Sequence, residues 1–281
     1  MIVTRFAPSQ TAKLNLGHAY SAVVGDRQAR AADGRFLLRI EDLDQTRSRP
    51  EFVDAIMGDL RWLGLHWDEP LLVQSQRAGA YEQALQRLRE QGLVYPCFCT
   101  RSDIAAALEA PHGRSPHYPG TCRGLADDAD RRASAPHSWR LDAAKALALT
   151  GLPSWTEVDG RRFTCSREDF DDVILARKDA AAAYHLACVV DDAASGVTLV
   201  TRAADLRAST PVQRLLQKLL GLPEPTYFHH PLVAHANGRR LAKRELAPTL
   251  AAMRESGVDG QSLAADLAAG KLPLGFSFVD A

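Results

Sequence analysis

The stretch IVTRFAPSQTAKLNLGHAYSAVVGDRQARAADGRFLLRI, residues 2–40, decides the fold. IVTRF is an apolar run of strand length. From His18 the apolar positions recur at helical spacing until Gly34 ends the pattern, and FLLRI then reads as a buried strand closed by the acidic EDLD. Strand, helix and strand in that order make a βαβ unit, which requires a parallel sheet with ligands at the carboxyl ends of its strands. The polar loop SQTAKLN lies between the first strand and the helix, where free N–H groups and the helix dipole favour phosphate. Many such turns bind nothing, so the loop alone does not establish a ligand.

Outward from this unit, EFVDAIMGDLRWLGL and AGAYEQALQRLREQGL read as two amphipathic helices, the second ending at Gly92. Between about Tyr95 and Glu168 the periodicity weakens and Pro, Gly, His and Cys are scattered, which marks an insertion between two halves of the sheet. Strand and helix punctuation returns with DDVILARKD, AYHLACVVDDAASGVTLVTRAADL and a helix from about Pro211 to Leu220. The last segment carries the basic GRRLAKRE and then mostly short helices.

Bulk properties set limits. The 281 residues suit one large domain or two moderate ones, and 46% hydrophobic with 24% charged residues is ordinary globular usage. A formal net charge of zero means that a nucleic-acid partner must be held by a local basic face. No segment approaches the roughly 20 apolar residues of a membrane helix, so a cytoplasmic protein without a membrane partner is expected. Five cysteines, two of them as C-F-C at Cys97 and Cys99, fit reduced thiols or metal ligands better than disulfides. With Cys122 they supply three thiolates, and the intervening loop offers His112, His117 and Tyr118 to complete the tetrahedral, sulfur-rich site of structural zinc. Chemistry alone favours a histidine in the fourth position. Cys165 and Cys188 lie elsewhere and read as small apolar residues.

Four segments together resemble the glutamyl branch of the class I aminoacyl-tRNA synthetases. RFAPSQTAKLNLGHA is similar to the first signature, commonly RFAPSPTGxLHxGHA; RLAKR at Arg240 to Arg244 is similar to the second, the KMSKS loop. FLLRIEDLD and AYHLACVVDDAASGVTLVTRAADL resemble the branch's LRIEDTD and AYxLAxVVDDxxxGxTxVxRGxDL, all in the right order from Ile2 to about Leu246. Only 38 residues (281 minus 243) follow Lys243, which is too few for an anticodon-binding domain. The resemblance therefore narrows to the truncated paralogues, the glutamyl-Q tRNA(Asp) synthetase family.

That resemblance implies an α/β fold: a Rossmann-type parallel-sheet catalytic domain in halves 1–94 and 169–235, an inserted zinc-containing subdomain at 95–168, and a second-signature loop with a short helical C-terminal part at 236–281. It implies activation of L-glutamate with ATP and Mg2+, and transfer to queuosine in the anticodon loop of tRNA(Asp), by a chain acting as a monomer. His18 and Lys243 would be catalytic, by donating to phosphate oxygens and by neutralising the leaving pyrophosphate. Arg5, Ala7, Ser9, Glu41, Tyr184 and Arg202 would bind glutamate, the guanidinium forks taking carboxylates and Glu41 the ammonium. Pro8, Asn15, Gly17, His18, Leu241 and Lys243 would bind ATP. Cys97, Cys99, Tyr118 and Cys122 would hold one structural Zn2+, the family pattern CxC…YxxxC pointing to Tyr118, with His117 in reserve. Alternatives stay open: Arg5 could simply pair with Glu41, Tyr184 could be core, and His229 and His230 could be buried or capping. The chain departs from the pattern at Gln10, Ala12 and Asn15, where Pro, Gly and His are usual. Asn15 can hydrogen-bond phosphate but brings no charge. A catalytically weak tRNA-binding paralogue, or glutamylation of tRNA(Glu), are the rival readings.

Overall fold

The computed structural model describes residues 1–10, 12–44, 48–100, 102–105, 118–125, 128–241 and 248–280. The opening unit folds as strand β1 (Val3–Phe6), helix α1 (Leu16–Arg30) and strand β2 (Arg35–Ile40), and helix α2 (Pro50–Trp62), strand β3 (Asp68–Val73) and helix α3 (Ala78–Glu90) follow. Gly34 makes the sharp return from α1 possible, because a Cβ there would lie 2.0 Å from the Ile2 carbonyl oxygen. Gly92, at φ +67°, turns the chain just beyond α3.

Beyond it come strand β4 (Val94–Cys97), helix α4 (Ala129–Ser134), strand β5 (Ser138–Leu141), helix α5 (Ala143–Thr150), strands β6 (Ser154–Thr156), β7 (Arg162–Thr164) and β8 (Ile174–Ala176). Strands β4, β5 and β8 form an antiparallel sheet, and β6 and β7 a hairpin. Strand β8 lies beyond residue 168, so this sheet reaches past the boundary read from the sequence. The chain then runs through helix α6 (Tyr184–Ala194), strand β9 (Leu199–Ala203), helix α7 (Thr210–Leu220), strands β10 (Thr226–His230) and β11 (Leu232–His235), helices α8 (Leu250–Glu255) and α9 (Gly260–Ala268), and strand β12 (Phe276–Val279). The C-terminal part thus contains more than short helices: β12 pairs antiparallel with β11.

β1, β2 and β3 pair in parallel, as do β9 and β10. The two groups meet where the Thr198 N–H donates to the Val3 carbonyl at 3.0 Å and the Val3 N–H to Thr198 Oγ1 at 2.9 Å. Spatial order is therefore β3-β2-β1-β9-β10. The order reverses at β1 and β9, the switch point where open α/β sheets bind ligands.

Alternation along the strands assigns the two faces. Phe6, Phe36, Leu38 and Ile40 pack with Ala19, Ala22 and Val23 of α1 and with Leu263 and Leu267 of α9. Val3 and Leu37 face the opposite core of Leu85 and Leu88 from α3, Leu186 and Ala187 from α6, and Leu215 and Leu216 from α7. Arg5 and Arg39 share the parity of Val3 and Leu37, so the two-residue period of a strand carries both guanidiniums to the α6 side. Among the described residues, no helix is long and apolar enough to cross a membrane.

Candidate functional site

A cleft of about 440 Å³ opens at the switch point. Its walls are the ends of β1, β2, β9 and β10 and the first turns of α1 and α6. Arg5, Ala7, Pro8, Ser9, Asn15, Gly17, His18, Glu41, Tyr184, Arg202 and Leu241 all line it. Of the ATP and glutamate residues expected from the sequence, Lys243 alone is not among them, because it lies outside the described residues. The flanks of its segment are placed: Leu241 on the cleft wall, and Leu250 through its N–H, which donates to the Leu14 carbonyl at 2.9 Å.

Asn15 is the N-cap of α1. Its Oδ1 accepts from the His18 N–H at 3.2 Å, while its own backbone N–H donates to His18 Nδ1 at 3.1 Å. This reciprocal cap fixes the imidazole tautomer: an Nδ1 that accepts leaves the ring's proton on Nε2. The first turn of α1 holds no acidic residue, so nothing there offsets the attraction of the helix start for anions.

Arg5 and Glu41 do not form the simple pair that the sequence left open; each is held by a partner of its own. Arg5 donates through Nε and Nη2 to the two oxygens of Asp192 at 3.0 and 3.4 Å, and through Nη1 to the Thr201 carbonyl at 3.1 Å. Arg39 joins the same carboxylate through Nη1 in a short contact, and reaches Glu41 Oε1 from Nε and Nη2 at 3.3 and 3.1 Å. Its Nη2 also lies 3.2 Å from Cys188 Sγ. Burial works to raise the Asp192 carboxyl, but the Arg39 and Arg5 guanidiniums overcome it and hold the group down to about 2. Glu41 is raised from the usual carboxylate range by burial, against the opposing pull of Arg39. Cys188 is pushed up to about 11, chiefly by burial, and lines the cleft as a neutral thiol.

Helix periodicity explains why these groups meet. Tyr184, Cys188 and Asp192 are spaced at i, i+4 and i+8 and share one stripe of α6 facing the sheet. Tyr184, at the helix start, is 36% exposed on the cleft wall and is not core. Arg202 is buried and held on three sides: Nε to His229 Nε2 at 3.1 Å, Nη1 to Gln213 Oε1 at 2.7 Å and Nη2 to Thr210 Oγ1 at 2.7 Å. His230 is buried on the cleft wall with Nε2 2.9 Å from Ser21 Oγ, and Nδ1 2.9 Å from the Pro231 carbonyl. The sequence did not mark Arg39, Asp192 or Glu157 as parts of this site, and it left His229 as a buried or capping histidine; His229 is buried between Arg202 and Glu157. The signals present were a lone arginine inside the apolar strand FLLRI and an aspartate in the helical stripe of Tyr184.

A second constellation lies in the insertion. Cys97, Cys99 and Cys122 place their sulfurs within 4.8 Å of one another. Tyr118 Oη is 3.3 Å from both Cys97 Sγ and Cys99 Sγ and accepts from the Cys122 N–H at 3.0 Å. A tetrahedron with ~2.3 Å metal–sulfur bonds has edges of about 3.8 Å, so small adjustments would let these four atoms close around one ion. The Arg140 guanidinium stacks 3.8 Å above the Tyr118 ring, and its Nε lies 3.3 Å from Cys97 Sγ, well placed to offset thiolate charge. His117, the reserve ligand, lies outside the described residues.

Comparison with known proteins bears on this geometry. Residues 1–268 match the family described as tRNA synthetases class I (E and Q), catalytic domain. A glutamyl-Q tRNA(Asp) synthetase of Rhodobacter capsulatus is 45% identical over 269 residues, covering 91% of this chain and 96% of the relative. One of Nocardia farcinica is 49% identical over 256 residues, covering 90% of this chain and 79% of the relative. Among solved structures, a glutamate tRNA ligase from Elizabethkingia meningosepticum, in complex with its amino acid, superposes with a TM-score of 0.81 at 24% identity. That match covers 95% of this chain and 60% of the solved one, so this chain spans less than two thirds of that ligase.

Proposed function

This chain belongs to the class I tRNA synthetases of the glutamate and glutamine branch, and on that premise we propose that it activates L-glutamate with ATP and transfers it to queuosine in the anticodon loop of tRNA(Asp). It is a ligase. The observation that carries the proposal is the convergence of Arg5, Glu41, Tyr184 and Arg202 with the His18 helix start on one cleft at the switch point.

The chemistry follows from these groups. A glutamate carboxylate oxygen attacks the α-phosphorus of ATP, the bond to the β-phosphate breaks, and pyrophosphate leaves. No general base is needed, because the nucleophile is already ionised, so the protein's part is positioning and charge. Arg5 keeps outer N–H groups beyond its bonds to Asp192 and Thr201, and with Arg202 it takes the two substrate carboxylates. Glu41 accepts from the ammonium, Tyr184 walls the pocket, and Ala7 and Ser9 complete it at the end of β1. His18 donates from Nε2 to the phosphates, over Pro8, Asn15 and Gly17, while Leu241 closes the nucleotide side. Lys243 neutralises the leaving pyrophosphate, with Mg2+ arriving as the partner of ATP. In the second step a hydroxyl of queuosine attacks the acyl carbon and AMP departs.

Cys97, Cys99, Tyr118 and Cys122 would hold one Zn2+, whose contribution is structural: it ties the C-F-C turn to the Tyr118–Cys122 segment. Residues 1–94 and the part of 169–235 beyond strand β8 act as the catalytic halves, 95–168 together with β8 as the zinc-bearing insertion and 236–281 as the second-signature loop and C-terminal part, in a cytoplasmic monomer.

Glutamate-dependent ATP–pyrophosphate exchange without tRNA tests activation; no exchange at millimolar substrates would refute it. Labelled glutamate offered to tRNA(Asp) with and without queuosine tests the acceptor. Label on the 3′ adenosine would overturn the assignment to queuosine.

A further inference from the structure

We propose that Glu157, carried by the β6–β7 hairpin of the insertion, is a positioning residue for the glutamate pocket: it fixes the tautomer of His229, which in turn holds the Arg202 guanidinium at the cleft. This rests on the reading of Arg202 as a carboxylate ligand. Glu157 is buried at 4% exposure and does not line the cleft. Three donors converge on it: His229 Nδ1 at 2.6 Å and Trp155 Nε1 at 3.0 Å on Oε1, and the His229 backbone N–H at 3.2 Å on Oε2.

An ionised carboxylate only accepts, so the bond to Nδ1 puts the ring's proton on that nitrogen. Nε2 is then a bare lone pair. Arg202 Nε can only donate, and it does so to Nε2 at 3.1 Å. Without the carboxylate, the imidazole is free to carry its proton on Nε2, and donor would face donor against Arg202. The side chain of Glu157 therefore decides the sign of the His229–Arg202 contact. Attachment of the hairpin does not need it: the Val158 N–H donates to the Tyr227 carbonyl at 2.9 Å, and Arg214 Nε to the Ser154 carbonyl at 3.0 Å. A buried carboxylate is costly to keep unless it serves donors that lack another acceptor, and here all three point at it. The insertion thereby reaches the amino-acid pocket through side chains that touch no substrate.

The test is glutamate-dependent ATP–pyrophosphate exchange by the full chain, with KM measured separately for glutamate and ATP. Glu157→Ala is expected to raise KM for glutamate about tenfold, with KM for ATP within about twofold. His229→Gln puts an amide oxygen near the place of Nε2, so it should hold KM for glutamate within about threefold, whereas His229→Leu should raise it as Glu157→Ala does. In the His229→Gln background, adding Glu157→Ala should raise KM little further, because the tautomer no longer matters. An unchanged KM for glutamate in Glu157→Ala, or equal rises for glutamate and ATP, overturns the proposal. If circular dichroism shows Glu157→Ala unfolded, the two His229 variants decide, and equal KM values for them overturn it. Absence of exchange by the unaltered chain would instead sink the glutamate-activating reading on which the proposal stands.

Discussion

Replacing Asp192 with asparagine tests the charge ladder beneath the cleft. The carboxylate takes the Arg5 fork and one arm of Arg39, and all three groups are buried at 6%, 6% and 2% exposure. Its pKa falls from 3.8 to about 2, which corresponds to roughly 2 kcal/mol of folding stability at neutral pH. The substitution costs more than that, since it leaves the buried Arg5 guanidinium without its counter-ion and Arg39 with Glu41 only; breaking such a pair costs about 3–5 kcal/mol. With an unfolding entropy of ~2.1 cal/mol/K per residue, 281 residues give about 0.6 kcal/mol/K, so the melting temperature should fall by roughly 5–8 °C. The pH dependence has a definite sign. A carboxyl whose folded pKa is depressed stabilises above its unfolded value and loses that contribution as the pH falls through the folded value. The stability gap between the native chain and Asp192→Asn should therefore be full above pH 4 and shrink between about pH 4 and 2. Thermal melts by circular dichroism across that window measure it. A drop below about 2 °C at pH 7, or a gap that grows on acidification, would refute the ladder as a net stabilising element.

Other perturbations bear on the same structure. Asn15→Ala removes the cap of α1 and should cost about 1 kcal/mol in thermal melts, with a raised KM for ATP, while Asn15→Ser should keep most of the stability. Tyr81→Phe deletes the hydroxyl that donates to Asp191 at 2.7 Å, leaving that buried carboxylate to Arg77 and Gln74. It should lose about 1.5–3 kcal/mol of stability with no change in KM for glutamate, because Tyr81 does not line the cleft. Cys122→Ser should reduce bound zinc, measured by elemental analysis, from about one ion per chain to near zero, and lower the melting temperature.

The sequence by itself determined the local elements that periodicity can express. The βαβ unit, the two amphipathic helices and the helix near Pro211 all follow from residues within one or two turns of each other. The resemblance supplied the list of site residues, and the cleft brings together those of them expected to bind glutamate and ATP, Lys243 apart. What only the tertiary structure decided are the partners of those residues. Arg5 meets Asp192 across 187 positions of sequence and Arg202 is held through His229 by Glu157, because strand parity, helix stripe and hairpin docking coincide in space. β12 was likewise invisible, since its four residues FSFV are a strand only through the edge that β11 offers them. Hydrogen bonds between distant charges leave no periodic trace in a sequence, because each partner is specified by its own element and their meeting is specified by the fold.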